Sequence, residues 1–295
     1  MARNKGKSTV SKILKYVIII LFLLTAGICG YAFTIYYFSD PDADILVANQ
    51  IQQEQEPITK ASIDDISKNL IYGYDTKTGE INNIILEIYH CKKKQLTYIT
   101  IPTRTQFTMS DTLYRKLVPV YPSIPQVIKL SAISKYLDDD TRFDYGVLIL
   151  EDLLRIDISY YTAIPQEIFD EIFTMDEITR SKDVAIDDEQ SENDDNDDNK
   201  EMVHAAVFKT SYKKKMGKLK TKEDLSNYIE ELYSEITSNL SFHDKMNYLD
   251  SYCRTSIDNV SFDLIRGDDR NSAFVVNTTL VEMQLAQLTT ADIVE

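Results

Sequence analysis

Two short motifs carry the residues with the clearest chemical potential. Gly73-Tyr74-Asp75 precedes one predicted strand, and Ile101-Pro102-Thr103-Arg104-Thr105 directly follows the next. Residues at strand ends line ligand crevices in α/β folds. A carboxylate beside an arginine could hold a metal ion and a phosphate together. The same two side chains can also form an ordinary ion pair at a sheet edge, and the residues alone favour that simpler interpretation.

Several other chemistries are excluded by what the chain lacks. Only five glycines follow residue 38, and the sequence contains neither a P-loop nor a dinucleotide-binding motif. It also has no Gly-x-Ser-x-Gly motif. His90, His204 and His243 are isolated and do not have the spacing of a metalloprotease site. Three cysteines cannot form a four-thiolate zinc site. We expect Cys91 and Cys253 to be free, buried thiols and not a disulfide.

The elements that must position these motifs follow from hydrophobic patterning. Ile84–Tyr89 and Leu96–Ile101 are rich in β-branched and aromatic residues and predict a hairpin or neighbouring strands. Phe143–Ile156 predicts a buried helix, Ile158–Ala163 a strand, and Ile164–Phe173 a second helix. Strands that alternate with helices indicate an α/β layered fold.

The C-terminal part repeats this alternation. Thr221-Lys-Glu-Asp224 predicts a capping box at the start of an amphipathic helix, and Ser241-Phe-His-Asp244 caps a second helix. Val260–Ile265 and Ala273–Val276 predict closing strands around a turn at Gly267-Asp268.

Residues 182–201 differ in composition from the segments around them. They hold ten acidic and two basic residues and almost no apolar ones. Such a composition cannot offset the entropy lost on ordering, so we predict a mobile acidic loop. It lacks the glycine and the ligand spacing of a calcium loop.

The N-terminus predicts a membrane anchor. Residues 16–38 are twenty-three consecutive residues without a charge, which is long enough for a helix to cross the bilayer. Five basic residues and no acid lie in the tail 1–15, so we expect this tail to be cytoplasmic. The segment is predicted to be a retained signal-anchor that spans the membrane once. Residues 39–68 are predicted to form an extracytoplasmic stalk, and residues 69–290 the outer domain.

The charge of the outer part excludes one class of partner. The whole chain carries a formal charge of −15, and the basic tail leaves −20 for residues 39–295. Binding to nucleic acid is driven by cationic side chains that displace counterions from phosphates. We therefore expect no nucleic-acid partner.

The order of these parts resembles the LytR-CpsA-Psr (LCP) family, also described as the cell envelope-related transcriptional attenuator domain. The resemblance lies in a basic tail, one span and a stalk, followed by LIYGYD, IILEIY, LTYITIPTRT, a Lys129–Ala132 (KLSA) step and LLRIDISYY. It covers roughly residues 69–173 and, more weakly, 219–288. Each motif is weak alone, and their order and spacing behind an anchor carry the likeness.

The resemblance implies a fold and a chemistry. Family members are similar to three-layer α/β/α sandwiches with a central mixed sheet. They use magnesium, bind a polyprenyl pyrophosphate-linked glycan and transfer the glycan to peptidoglycan in cell-wall assembly. Carried over by position, Asp75 matches a magnesium-side carboxylate, and Lys129 matches a lysine that binds the pyrophosphate. Arg104 is the candidate for both pyrophosphate binding and catalysis.

This chain also departs from the family pattern. The second family carboxylate falls on the amide Asn82, and Thr103 replaces a family arginine, so that Arg104 stands one position late. One step along a strand turns a side chain to the opposite face, so Arg104 is not assured of reaching the same phosphate. A later family arginine cluster is also missing, with Lys213–Lys215 in its region.

Three functions remain open. We favour a degenerate LCP-like protein of cell-envelope assembly that binds the polyprenyl-linked glycan or other cell-wall assembly proteins. The second is an active phosphotransferase with a rearranged site, built from Asp75, Arg104 and either Lys129 or Lys213–Lys215. The third is a membrane-anchored adaptor without enzymatic activity, whose acidic loop recruits basic partners.

Overall fold

The computed structural model describes residues 58–181, 202–210, 219, 221–270 and 272–290. The tail 1–15, the predicted span 16–38, most of the predicted stalk and the acidic segment 182–201 lie outside these residues. Within the described part, no helix combines the length and apolar character needed to cross a bilayer.

The described residues form strands and short to medium helices. In chain order, the strands are β1 (Ile66–Tyr74), β2 (Ile81–His90), β3 (Gln95–Thr100), β4 (Gln106–Thr108), β5 (Val127–Lys129), β6 (Tyr160–Pro165), β7 (Phe173–Ser181), β8 (Met202–Thr210), β9 (Thr237–Ser238), β10 (Val260–Leu264), β11 (Gly267–Arg270) and β12 (Ala273–Val276). The α-helices are α1 (Asp111–Leu117), α2 (Ile133–Tyr136), α3 (Arg142–Leu154), α4 (Gln166–Ile172), α5 (Lys222–Glu235), α6 (Phe242–Lys245), α7 (Leu249–Cys253) and α8 (Thr278–Thr289).

A six-stranded mixed sheet forms the centre, with the strand order β10-β3-β2-β1-β6-β9. β2 is antiparallel to both of its neighbours, β1 and β3. β6 is parallel to β1, and β10 is parallel to β3. The predicted α/β class with a central mixed sheet is therefore confirmed, as is the predicted hairpin of β2 and β3.

Alternate residues of the strands pack into two separate cores, one on each face of the sheet. Leu70 and Tyr72 of β1 pack with residues of α3 on one face. Ile71, between them, packs with Leu225 and Ile229 of α5 on the other. Strand residues alternate between faces, so helices cover both sides of the sheet.

β1 corrects two boundaries inferred from the sequence. The sequence predicts a stalk that runs to residue 68 and places Gly73-Tyr74-Asp75 before the first strand. In the structure β1 begins at Ile66 and lies between β2 and β6, so Gly73 and Tyr74 end a central strand. Residues before β1 also pack on the domain, because the Tyr248 hydroxyl accepts a hydrogen bond of 2.9 Å from the Asp64 backbone N–H.

The C-terminal part confirms the predicted helix starts and corrects one turn. At the start of α5, Thr221 and Asp224 make both hydrogen bonds of the capping box. The predicted turn at Gly267-Asp268 is wrong, because these residues belong to β11, which pairs with β12. The reversal comes after Arg270, and Ser272 there adopts a left-handed φ of 67°. Cys91 and Cys253 are free, as expected, but the expected burial is wrong, because Cys91 is only partly buried and Cys253 is exposed.

Candidate ligand-binding site

The carboxyl ends of four strands meet at one edge of the central sheet. β1, β3, β6 and β10 run in the same direction, because β2 is antiparallel to both β1 and β3 and the other two are parallel to their neighbours. Asp75 follows β1 and Arg104 follows β3, so both motifs lie at this edge, where ligand sites form in α/β folds. Each of the three predicted site residues is nevertheless engaged separately.

Asp75 is committed to its own loop. Its Oδ1 accepts hydrogen bonds from the backbone N–H groups of Lys77 (2.7 Å) and Thr78 (2.9 Å). These two backbone hydrogen bonds lower the pKa of Asp75 below its ordinary value, because they favour the carboxylate. The side chain thus stabilises the turn between β1 and β2, and one of its oxygens is occupied by that role.

Arg104 is paired with an acid from another strand. Its Nη1 donates to Asp269 Oδ1 of β11, and its guanidinium lies 5.9 Å from the centre of the Phe274 ring. The expected alternation of faces does not extend to Arg104, because residues 102–105 form a turn in which the Thr105 N–H bonds to Pro102 O. The cation is therefore neutralised within the protein.

Lys129 is the last residue of β5. It pairs with Gln106 of β4 in a two-stranded sheet. The two residues after it donate backbone hydrogen bonds to the turn that carries Arg104, with Leu130 N 2.9 Å from Thr105 O and Ser131 N 2.7 Å from Thr103 O. The KLSA step thus supports the turn after β3. In the described part of the chain, no hydrogen bond or ion pair joins any two of Asp75, Arg104 and Lys129.

The donor set at this edge can be compared with what a magnesium ion requires. Mg²⁺ is usually held in octahedral geometry by one or two carboxylates together with waters and substrate phosphates. Asp75 supplies one carboxylate, and the second position is the amide Asn82. Among the described residues, no group of three or more His, Cys, Asp or Glu side chains is placed to hold a metal ion.

Amide side chains occupy the edge instead. The Nδ2 atoms of Asn82 and Asn83 both donate to Gln166 Oε1, at 3.3 and 3.0 Å, and Gln166 opens α4. Asn82, Asn83, Thr103 and Arg104 line an open pocket of about 210 Å³, here called the edge pocket. It offers neutral hydrogen-bonding groups and one paired cation.

A second, mostly apolar cavity of about 160 Å³ lies between the central sheet and α5. We call it the sheet–α5 cavity. Its apolar lining comes from β1, β3, β6, α4 and α5. Representative residues are Ile71, Tyr98, Ile164, Ile172, Leu225 and Leu232. The volume is below the roughly 300–1,000 Å³ typical of small-molecule sites, so a long ligand would have to move wall side chains.

Three phenylalanines connect the walls of the two pockets. Phe208 lines the edge pocket and Phe173 lines the sheet–α5 cavity. Phe169, which is fully buried, touches both, with ring centres 5.3 Å from Phe208 and 4.8 Å from Phe173. A ligand that occupied both pockets would therefore have to displace an aromatic ring.

Charged residues also line the apolar cavity. Glu87 of β2 is 7% exposed and faces Lys245 at the end of α6, with Lys245 Nζ 3.9 Å from Glu87 Oε1. Lys245 Nζ donates to the hydroxyls of Tyr160 (2.7 Å) and Tyr252 (3.1 Å). Burial raises the pKa of both tyrosines, so their hydroxyls stay protonated. We did not predict this buried pair, although a lone acid inside the apolar run IILEIY marks Glu87 as unusual.

Comparison with known proteins identifies neighbours in structure only. No family model matches the chain, and no curated protein does. Among solved structures, Bacillus subtilis TagV is 10% identical over 76% of this chain and 96% of its own length, with a TM-score of 0.46. Protein gbs0355 from Streptococcus agalactiae is 12% identical over 76% and 87%, with a TM-score of 0.48. TagT bound to LI-WTA is 9% identical over 78% and 93%, with a TM-score of 0.42.

Two of these neighbours, TagV and TagT, belong to the family that the motif order resembles. TagV and TagT are LCP-family wall teichoic acid transferases. Identities of 9–12% do not establish which residues correspond. The roles of Asp75, Arg104 and Lys129 therefore rest on the geometry of this chain.

Proposed function

We propose that this chain is a membrane-anchored, LCP-like protein of cell-envelope assembly that binds a polyprenyl pyrophosphate-linked glycan without transferring it. In this proposal the N-terminal segment crosses the cell membrane once and the folded domain lies outside. The apolar chain of the ligand enters the sheet–α5 cavity, and the pyrophosphate lies at the edge pocket. Other cell-wall assembly proteins are the proposed partners.

One observation carries the proposal: an apolar cavity lies behind the Phe169 ring from the sheet edge, while the charged side chains at that edge are already engaged within the protein. A cavity lined by aliphatic and aromatic residues suits a hydrocarbon chain. The amides of Asn82 and Asn83 can donate to phosphate oxygens, and Arg104 can contribute part of its guanidinium.

Turnover requires more than this edge provides. Phosphoryl transfer depends on cations that neutralise developing charge in a preorganised site. Arg104 is already neutralised by Asp269, and the Asp75 carboxylate holds its own turn. We therefore expect binding with little contribution from Mg²⁺ and without transfer.

The test uses the full-length protein in lipid nanodiscs with a radiolabelled undecaprenyl pyrophosphate-linked disaccharide and soluble peptidoglycan oligomers as acceptors. We expect saturable binding that Arg104→Gln weakens about ten-fold, since a charge-assisted hydrogen bond is lost. Mg²⁺ should change the affinity by less than about two-fold, and no label should reach the acceptor.

Two results would replace this function by one of its alternatives. Transfer of label that needs Mg²⁺ and is abolished by Asp75→Asn would establish an active transferase with a rearranged site. Neither binding nor transfer, with the protein folded, would favour the adaptor. Empty nanodiscs serve as the control for binding to the bilayer, and the soluble disaccharide without the lipid serves as the control for binding of the glycan alone.

A further inference from the structure

The inner wall of the sheet–α5 cavity carries a charged pair whose hydrogen bonding is incomplete. Lys245 uses two N–H groups on Tyr160 and Tyr252. Among the described residues, the remaining N–H has only Glu87 as an acidic neighbour, at 3.9 Å, which exceeds the ~2.7–3.2 Å of a hydrogen bond. On the other side, Glu87 Oε1 accepts a long bond of 3.4 Å from Asn69 Nδ2. A buried carboxylate with so few donors is costly unless another group completes its shell.

A buried hydroxyl in the same wall also has unused capacity. The Tyr233 hydroxyl is fully enclosed and has no hydrogen-bond partner among the described residues. The Ser238 hydroxyl lies beside it and donates to Tyr161 O, and its oxygen does not meet hydrogen-bond geometry with the Tyr233 hydroxyl. Buried polar groups without partners are rare in folded proteins and often mark the place of a water or a ligand.

The geometry of the pair selects the kind of group that could complete it. A single oxygen placed about 2.8 Å from both atoms bridges a gap of 3.9 Å between Lys245 Nζ and Glu87 Oε1. Such an oxygen must accept from the ammonium and donate to the carboxylate, which a hydroxyl does. A carboxylate or phosphate would instead place a second negative charge beside Glu87, and an ammonium a second positive charge beside Lys245.

The approach to the cavity also disfavours an anionic head. Ile172, Tyr228 and Leu232 line both the cavity and an outer groove between α4 and α5. The exposed Glu171, Glu231 and Glu235 lie along that groove. An anion that entered by this route would be repelled, whereas a neutral amphiphile would not be.

We propose that the sheet–α5 cavity binds a primary alcohol on a hydrocarbon chain, inserted hydroxyl first, with the hydroxyl bridging Lys245 and Glu87. The pair retains 14% and 9% of its side-chain surface exposed, so it stays reachable from the cavity. An isoprenoid alcohol and a linear fatty alcohol share this chemistry. The inference rests on the proposed function only in using the same cavity.

The experiment compares alcohols with hydrocarbons in the full-length protein in nanodiscs. Tritiated farnesol is bound and then displaced by unlabelled farnesol, 1-dodecanol, dodecane or farnesyl pyrophosphate. The matched variant is Glu87→Leu with Lys245→Met, which replaces the pair by apolar residues. Such a replacement is often neutral or stabilising, whereas removing one partner leaves a buried charge. A given competitor partitions to the same extent into nanodiscs that carry the natural protein and nanodiscs that carry the double variant. A difference between the two proteins in the displacing concentration therefore reports the site.

We expect 1-dodecanol to displace farnesol from the natural protein at about ten-fold lower concentration than dodecane, the ratio that one or two hydrogen bonds supply. The double variant should lose this preference while it unfolds at a similar temperature. An unchanged alcohol-to-alkane ratio in the folded double variant would overturn the inference. Displacement at a lower concentration of unlabelled farnesol than of 1-dodecanol would identify an isoprenoid alcohol as the preferred ligand. The opposite order would identify a linear fatty alcohol.

The two proposals fail separately. Displacement by farnesyl pyrophosphate without any preference for alcohols would leave the proposed function standing and remove this inference. A preference for alcohols in a protein that binds no pyrophosphate-linked lipid would do the opposite.

Discussion

Arg104 and Asp269 form an ion pair that joins the turn after β3 to β11 at the carboxyl edge of the central sheet. Both side chains are about two-fifths exposed, so the pair contributes little to stability. The pair instead limits the availability of the Arg104 guanidinium, because an anion that binds at the edge pocket must compete with Asp269 for it.

Asp269→Asn should therefore strengthen anion binding. Removal of the competing carboxylate frees Arg104, and we expect pyrophosphate to bind about three- to ten-fold more tightly, measured by isothermal titration calorimetry at constant ionic strength. Asp258→Asn makes the same change in net charge in the turn before β10 and serves as the control. Equal gains in the two variants would mean that net charge, and not the pair, limits binding.

Gly146 is a packing requirement of α3. A Cβ built on it would lie 2.6 Å from the hydroxyl oxygen of the buried Tyr72. Gly146→Ala should destabilise the fold by about 1–3 kcal/mol through overpacking, although alanine favours helices by about 1 kcal/mol.

The matched rescue for Gly146→Ala is Tyr72→Phe. It removes the clashing oxygen and leaves the ring carbon at 3.3 Å as the nearest atom. Chemical denaturation of both single variants and the double variant measures the coupling. A double variant no more stable than the sum of the single changes would show that the contact is not the cause.

The capping box of α5 offers a local stability test. Thr221→Ala removes the hydroxyl that accepts from the Asp224 N–H at 3.0 Å. The expected loss is about 1 kcal/mol of unfolding free energy. Asn227→Ala, on the exposed side of the same helix, is the control and should not lower stability by more than about 0.5 kcal/mol. Since α5 covers the sheet–α5 cavity, the same variant should also bind farnesol more weakly.

Glu151 should make stability fall as pH rises. Burial raises its pKa above the ordinary 4.5, although the Ile158 N–H donates to it. Within the window between the ordinary and the raised pKa, the folded protein binds more protons than the unfolded chain, so the free energy of unfolding decreases with increasing pH. Glu151→Gln should remove this decrease, and Glu167→Gln on exposed α4 should not. Parallel pH profiles for Glu151→Gln and the natural protein would contradict this assignment.

Much of the fold follows from local pattern. The hairpin of β2 and β3 has continuous apolar runs with a polar turn, and the start of α5 has a complete capping sequence. β1 is harder to predict because Ser67, Lys68 and Asn69 interrupt its apolar run. Lys68 and Asn69 are accommodated by β6 and the residue before it, since the Ser159 hydroxyl accepts from Lys68 N and the Thr162 hydroxyl donates to Asn69. Such support comes from a strand ninety residues later.

The candidate site was predictable in position and less so in its contacts. Strand ends place Asp75 and Arg104 at the same edge by topology alone. The partner of Arg104 is Asp269, which is 165 residues away and lies in a strand that the sequence presents as a turn. The pair of Glu87 and Lys245 is equally non-local, joining β2 to α6. No spacing rule along the chain encodes such contacts.

The three amides at the sheet edge have a consequence for where the protein could operate. Asn82, Asn83 and Gln166 carry no ionisable proton, so the hydrogen bonds among them are indifferent to acidity. Under the proposed function the domain lies outside the cell, in a medium whose pH the cytoplasm does not buffer. A carboxylate in place of Asn82 would gain or lose its proton when the pH of that medium crossed its pKa. The three amides keep the same charge and the same hydrogen-bonding groups from acid to alkaline pH.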